Sequence, residues 1–406
     1  MTKISRRALV VFSLLLLFPS VLRALDFGLV LNPNAGLDGS GAEVAFDAVE
    51  GTGTFVPRLS APLGNSGDLI ITFCAAANYE NKEFAVFPEI LQTRIFLHSG
   101  SLKITAGRMP YADPLNCAFN GLFDGLQFSL DTFGGTFSAG VWYTGYLYKK
   151  RAYISMTPGD EASYSSAVDY DDFLGTYFSS RRVLAALGWE HPALGERLRI
   201  RVSVSGEYDL NDADELCHSL YMSAKLSMPA KWFTFELGGC AQPMEFADEF
   251  RIGYAGELGF SFTGYSPFLS RLSINGRFSS GQTDMTDVFL PLTTITLGNV
   301  LKAKSSGLSI ISLDYTARLH QTFSVSLTGL YFIRNDLGTY DGYPAGGLDS
   351  DGYFLGAEFF GRLMWTPVSD LRFSLGGGAF LPVLGDAAPE ADLRWRVELS
   401  MIIALF

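Results

Sequence analysis

Two stretches of this 406-residue chain repeat arginine at alternate positions: Arg199 and Arg201 in RLRIRVSVSGE, and Arg394 and Arg396 in ADLRWRVELSMIIALF. A guanidinium keeps its charge at any physiological pH and grips carboxylates or phosphates through two parallel N–H bonds. Spacing of two puts both members of a pair on one side of an extended strand, since strand side chains alternate between faces. Leu198, Ile200 and Val202, and Leu393, Trp395 and Val397, fill the opposite side. Reading the same parity through the chain, the mid-strand basic residues on polar faces are Arg94, Lys103, Arg199, Arg201, Lys225, Arg271, Arg277, Arg318, Arg362, Arg372, Arg394 and Arg396. The acids there are Glu207, Glu236, Glu257, Asp314, Glu358 and Glu398, six against twelve, although the whole chain carries 42 acidic and 30 basic residues. The remaining acids concentrate in connections, as in Asp160, Glu161, Asp169, Asp171 and Asp172, or Glu245, Asp248 and Glu249. A lumen lined by one sign of charge raises the local concentration of the other. The twelve basic residues are therefore candidate pore-lining groups that favour anions. The bland alternative is that they pair with nearby carboxylates and stiffen a wall.

The elements that would position them are strands. Period-2 alternation places sixteen of them, near 68–77, 88–98, 101–108, 123–131, 135–147, 180–190, 197–208, 216–227, 231–241, 250–263, 269–279, 307–319, 321–333, 352–365, 370–382 and 391–406. Residues 25–66 are less legible: Leu25–Asn32 and Thr52–Leu63 read as two more strands or as a short plug. From residue 98 onward, short connections such as 132–134, 228–230 and 366–369 alternate with long ones: 109–122, 148–179, 209–215, 242–249, 280–306, 334–351 and 383–390. Transmembrane barrels keep that rhythm, with short periplasmic turns and long outer loops. Their exteriors must be apolar, because a barrel of this width cannot fill its interior with apolar side chains. Trp189 and Trp365, just before short turns, suit an interfacial aromatic girdle. The expected fold is all-β, a transmembrane antiparallel up-and-down barrel of 16–18 strands, with 18 favoured. Asp287–Leu301 (DVFLPLTTITLGNVL) is too apolar for a solvated loop and is expected to fold into the lumen or to pack as an outer hairpin.

Composition bounds the rest. Lys3, Arg6 and Arg7 precede an apolar run, Ala8–Phe18, and a small-residue site ending at Ala24; residues 1–24 have the form of a signal peptide. They hold four basic residues and no acid, so the chain beyond them moves from a net charge of −12 to −16. That balance argues against nucleic acid as a partner. Four cysteines make no disulfide framework. Cys217 and Cys240, near the open ends of one hairpin and about two residues out of register, read as a bridge or, preferably, as two small residues. Of four histidines, only His218, with Ser219, Asp212 and Asp214, forms a constellation worth testing for hydrolytic chemistry. No phosphate loop or zinc spacing is present in the sequence, and no enzyme, cofactor or metal is expected.

Residues 391–406, an amphipathic strand ending on Phe406, resemble the C-terminal signal by which bacterial outer-membrane barrels engage the insertion machinery. In Leu102–Leu130 a strand ends in Ala-Gly-Arg and the next opens with Phe-Asp-Gly-Leu. Leu355–Pro382 holds a short-turned hairpin whose second strand ends in Gly-Gly-Gly-Ala-Phe-Leu-Pro. These two segments, under a fifth of the chain, resemble the alginate-export type of outer-membrane barrel, with Met109 in place of an expected Gln. The resemblance implies eighteen strands and an arginine-rich lumen that passes an anionic polysaccharide. The expected function is passive diffusion of small anionic solutes or oligosaccharides across an outer membrane, with lipids as the surrounding partner. A surface-exposed binding protein or adhesin, or a plugged transporter of hydrophobic solutes, stand as alternatives.

Overall fold

The computed structural model describes residues 25–405 apart from 42–48, 81–82, 133, 212–214, 265–268, 284 and 339–351. Eighteen strands form one antiparallel sheet, and it closes because β1 (Asp26–Ser40) pairs with both β2 (Val49–Pro62) and β20 (Arg394–Leu405). Between them run β3 (Gly67–Glu80), β4 (Glu83–Ser99), β5 (Leu102–Ala112), β6 (Asn120–Thr132), β7 (Gly135–Tyr143), β8 (Arg182–Leu194) and β9 (Leu198–Asp209). They are followed by β10 (Cys217–Pro229), β11 (Phe233–Phe246), β12 (Glu249–Thr263), β13 (Arg271–Ser279), β16 (Leu308–Arg318), β17 (Phe323–Arg334), β18 (Phe354–Val368) and β19 (Leu371–Leu381). Two short strands, β14 (Thr296–Leu297) and β15 (Ala303–Lys304), make a separate hairpin inside the β13–β16 connection. Closure removes every sheet edge, the condition under which a β structure can sit in lipid. Among the described residues no helix is long and apolar enough to cross a membrane.

Each wall strand sends apolar side chains outward. On β9, Val202 and Val204 are exposed while Ser203, Ser205 and Glu207 are buried, and the same split separates Ile311 and Leu313 of β16 from their polar neighbours. At the short-turn end aromatic rings cluster on neighbouring strands, Phe137 with Trp189, Trp232 with Phe262, and Trp365 between Phe323 and Phe373. An exposed apolar band bordered by such rings is the surface that lipid requires.

Residues 26–40 and 49–62, where a plug was an alternative, form wall strands. Prolines obscured them, and the ladders show how they are accommodated. Pro33 pairs with Gly53, but the β1–β20 ladder lapses at Asn32 and Pro33; the β2–β3 ladder lapses likewise at Val56 and Pro57. A proline with no N–H to give costs one ladder there and leaves the other intact. The expected loop at 242–249 is absent: β11 and β12 meet in a two-residue turn at Ala247 and Asp248, both at positive φ (49° and 64°). That turn matches the strand twist. Cys240 stands opposite Ser223, six residues from Cys217, and both thiols are free, so the Cys217–Cys240 bridge is ruled out by register.

Candidate functional site

At the long-loop end three connections turn into the barrel: 113–119, 144–181 and 280–307. The first is wound around one buried carboxylate. Asp113 accepts hydrogen bonds from the backbone N–H groups of Leu115 (2.9 Å), Cys117 (3.0 Å), Ala118 (2.9 Å) and Phe119 (2.9 Å). From the wall, Arg201 donates to the Pro114 carbonyl at 2.7 Å.

The second connection carries α1 (Lys149–Ala152), α2 (Pro158–Ser165) and α3 (Phe173–Tyr177). Thr157 and Asp160 cap α2 reciprocally, with Pro158 in its first turn, an arrangement that satisfies orphan N–H groups at a helix start. Asp160 also meets Arg182 at 2.7 Å, and that fully buried guanidinium further contacts Glu207 and, at 2.7 Å, Asp209. Arg151 pairs with Glu89 at 2.6 Å and Tyr177 donates to the Pro88 carbonyl at 2.6 Å, docking the connection on β4. Burial and the nearby Glu89 push the Tyr148 hydroxyl up to about 12, so it stays neutral.

The third crosses furthest. Gln242 both accepts from the Leu290 N–H and donates to its carbonyl, each at 2.8 Å, and Tyr221 donates to the same carbonyl at 2.7 Å. Thr293 and Thr294 donate to the Ala118 and Tyr153 carbonyls, which joins this connection to the other two. Beyond Leu297, the N–H groups of Asn299 (2.6 Å), Val300 (3.2 Å) and Leu301 (2.9 Å) converge on the carboxylate of Glu358, which is fully buried on β18. Lys302 then reaches Asp38 on β1 (3.8 Å) and Glu50 on β2 (3.9 Å), and Lys304 pairs with Glu161 of α2 (2.8 Å). The apolar character of 287–301 is explained: Phe289 and Leu292 are buried inside the lumen in one cluster with Phe119, Trp142 and Tyr221.

All twelve basic residues singled out in the sequence lie on wall strands, and Arg94, Arg201, Arg277, Arg362 and Arg396 each have an exposed apolar neighbour in Ile95, Val202, Phe278, Leu363 and Val397. Six lie within ion-pair distance of carboxylates. Lys103 meets Asp131 (2.7 Å), Arg199 meets Glu190 (2.5 Å), Arg277 meets Glu257 (3.6 Å) and Arg362 meets Glu398. Lys225 meets Glu257 (2.6 Å) and Glu236 (3.1 Å), and Arg396 meets Asp38 (2.7 Å), Glu50 (3.4 Å) and Glu398 (3.5 Å). Arg201, Arg271 and Arg318 bond neutral oxygens: the Pro114 carbonyl, the Ser261 hydroxyl and the Gln321 carbonyl. Arg394 lies on β20 between Ser40 and Phe380.

Arg94 and Arg372 differ. With Arg58 of β2, they make no hydrogen bond or ion pair to another described residue, and the Arg94 Nε is buried without a partner. These three stand on β19, β2 and β4, one arc of the ring. The opposite arc holds a cavity of about 320 Å³ under Leu297 and Gly298, where Lys225 and Arg277 face Glu236, Glu257 and Asp314. The lining of that cavity holds two cations against three carboxylates, whereas Arg58, Arg94 and Arg372 meet no carboxylate among the described residues.

Several groups escaped the sequence reading. Arg58, Asp38 and Glu50 lie where prolines and glycines blur alternation, and Arg182 opens its strand instead of sitting mid-strand. The Ala-Gly-Arg and Phe-Asp-Gly segments prove to be one unit. Arg108 and Asp124 are opposite in register and joined by two bonds of 2.8 and 2.6 Å, and Arg108 also donates to the Ile90 (2.6 Å) and Tyr146 (2.8 Å) carbonyls. Gly107 makes this approach feasible at φ +105°, since a Cβ there would stand 1.8 Å from the Thr93 oxygen. Of the His218 constellation, Asp212 and Asp214 lie outside the described residues; the His218 ring stacks on Tyr208 with centroids 4.1 Å apart, while Ser219 is buried on the opposite face of the strand.

No family model matches the chain, and no curated protein matches it. Solved structures do. Pseudomonas aeruginosa OpdK, solved with vanillate, is similar at a TM-score of 0.63 and 12% identity over 94% of this chain and 99% of that one. OccK2 (OpdF) of the same organism, in complex with glucuronate, gives 0.61 and 13% over 95% and 99%. The outer-membrane protein OprD gives 0.57 and 11% over 94% of each chain. At such identities the likeness is one of fold, and it extends over nearly the whole of both chains.

Proposed function

We propose that this protein is an outer-membrane channel for passive diffusion of small anionic solutes, carboxylates first among them. The observation that carries the reading is a polar, charged lumen, narrowed by three inward connections, inside a wall whose outer face is apolar. Its solute class follows from Arg58, Arg94 and Arg372, which meet no hydrogen-bond or ion-pair partner among the described residues: a guanidinium so placed is available to a passing carboxylate. The similar proteins OccK2 and OpdK were solved with glucuronate and vanillate, both carboxylates, and the anionic reading agrees with them. The other ten of the twelve basic residues act mainly as wall structure in this account, six of them held by carboxylates.

The same reading takes residues 1–24 as a signal peptide removed on export, the short-turn end as periplasmic, and β20 as the strand presented to the insertion machinery. The alginate-export resemblance of 102–130 and 355–382 extends the candidate solutes to acidic oligosaccharides. Planar-bilayer recording tests the proposal: the purified protein is expected to form discrete channels whose zero-current potential in a salt gradient reports anion preference. Absence of channel activity from folded protein would overturn it. Protease shaving of intact cells, cutting within 148–179 and 280–306, checks the orientation.

A further inference from the structure

One guanidinium sits among three carboxylates where the 144–181 connection meets the wall. Arg182 opens β8, Glu207 and Asp209 lie at the end of β9, and Asp160 comes from α2, so the cluster stands at the outer ends of the strands. All four residues are buried. Asp160 Oδ2 and Asp209 Oδ2 each lie 2.7 Å from the same Arg182 nitrogen, Nη2, while Glu207 meets Nη1. Fully ionised, one positive charge against three negative ones would leave a buried net charge of −2. Hydrogen bonds are divided unequally among the acids. Asp209 Oδ1 accepts from the backbone (3.0 Å) and side-chain (2.7 Å) N–H groups of Asn211. Asp160 Oδ2 accepts from the N–H groups of Met156 (3.2 Å) and Thr157 (3.1 Å). Glu207 has the guanidinium alone, and its Oε2 is buried with no hydrogen-bond partner among the described residues. The surroundings bring no second cation within ion-pair distance of these acids among the described residues. Thr144 and the Cys217 carbonyl accept from Arg182, and Ser219 stands opposite Glu207 with the Cys217 thiol beside it. The Tyr221 hydroxyl is given to the Leu290 carbonyl, and His218 Nδ1 accepts from the Asp209 N–H. Glu161 turns to Lys304, and Arg181 is exposed.

We propose that this cluster is a proton switch: it holds one proton on Glu207 at neutral pH, and loss of that proton in alkaline medium frees α2 from the wall. Like charges crowded in a buried site do not all ionise, and the acid with the fewest donors is the one that keeps its proton. A proton on Oε2 leaves Oε1 to accept from Arg182 and neutralises the oxygen that no donor reaches. When the proton leaves, the repulsion is relieved most readily by moving Asp160, the one acid carried on a connection and not on a wall strand. In the released form Asp160 meets water, Arg182 faces two acids instead of three, and Glu207 ionises in the ordinary way. The docked form therefore binds one proton more than the released form. By linkage its advantage is full in acid and falls by up to tenfold per pH unit as the pH rises past the released form's titration, until the docked form too has lost its proton. Buried carboxyls titrate between about pH 6 and about pH 9, which sets the window. Glu161 pairs with Lys304 at 2.8 Å, so freeing α2 also loosens the 280–307 connection inside the lumen. The consequence for pore width rests on the channel reading above. The proton itself does not.

The test is trypsin cleavage at Lys150 and Arg151 in the folded protein in detergent, between about pH 6 and about pH 9, each rate divided by that of the unfolded chain at the same pH. The wild-type ratio is expected to climb with pH, by up to tenfold per unit. Glu207→Gln is neutral at every pH and should stay protected with a flat profile. Asp160→Asn removes one charge, keeps the capping oxygen and should flatten the profile as well, so the outcome does not hang on one variant. His218→Gln should keep the wild-type rise. Heat-modifiable migration shows that each barrel is folded. A flat wild-type profile, a rise that persists in folded Glu207→Gln and Asp160→Asn, or its loss in His218→Gln would overturn the proposal. Conductance over the same pH series separates the two readings: channels with a flat cleavage profile sink only the switch, and a pH-dependent profile in a barrel that never conducts sinks only the channel.

Discussion

Replacing Glu358 by Ala removes the acceptor that holds the 280–307 connection across the lumen. Three backbone N–H groups, of Asn299, Val300 and Leu301, lose a charged partner at 2.6, 3.2 and 2.9 Å. Hydrogen bonds to a charged group are worth about 1.5–3 kcal/mol each, so the gross loss is roughly 4–9 kcal/mol. The wild-type carboxylate is fully buried, and its desolvation costs several kcal/mol that the variant no longer bears. The net destabilisation of the inward position is about 2–4 kcal/mol, or on the order of thirty- to a thousandfold in its population at tenfold per 1.4 kcal/mol. Gly298 adds to the sensitivity, because its Cβ position is 2.6 Å from the Glu358 Oε2 and the turn was built around that oxygen. Single-channel recording reads the result: conductance should rise and its fluctuations grow, while heat-modifiable migration shows the barrel still folded. Glu358→Gln, which keeps one carbonyl oxygen but sets an NH₂ against a backbone N–H, should give a smaller rise. Unchanged conductance in a folded Glu358→Ala barrel would refute the reasoning, since it would mean that the loop is held by its apolar contacts or does not narrow the pore.

Gly107→Ala should cost about 2 kcal/mol or more, because φ +105° disfavours any Cβ and the Thr93 oxygen occupies its place; denaturant unfolding followed by tryptophan fluorescence checks it. Arg182→Leu leaves Asp160, Glu207 and Asp209 buried together without their cation and should destabilise by about 3–5 kcal/mol, with proteolysis of the 144–181 connection as the readout. Lys302→Ala breaks only exposed pairs at 3.8 and 3.9 Å, so its effect on stability should stay within about 1 kcal/mol and fade with salt.

The wall was legible where alternation is clean. Val202 and Val204 against Ser203 and Ser205 state their facing outright, and all eighteen strands fall where period-2 patterning or its weaker trace at 25–63 puts them. The inward connection betrayed itself at Phe289 and Leu292, which no solvated loop would keep exposed. What could not be read was partnership. Arg396 faces Asp38, 358 positions away, and only barrel closure brings the first and last strands together. Counting basic residues on one parity therefore overstated the unmatched charge, because half of the twelve meet carboxylates contributed by other strands. Glu358 was visible as an inward acid, but its work is to hold backbone N–H groups of a distant loop, and no local pattern encodes that.

On the proposed reading the lumen prefers anions because Arg58, Arg94 and Arg372 meet no carboxylate among the described residues. A single unit charge about 4 Å away is worth about 1 kcal/mol even at the dielectric of water, and physiological salt screens it beyond about 8 Å. The direct measurement is the zero-current potential of the channel in a salt gradient, at low and at high ionic strength, for the wild type and for Arg58→Gln/Arg94→Gln/Arg372→Gln. The account predicts an anion-selective wild type at low salt, a preference that weakens as salt rises, and a triple variant close to unselective. A wild-type channel that is cation-selective at low salt, or a triple variant that keeps the wild-type potential, would contradict it.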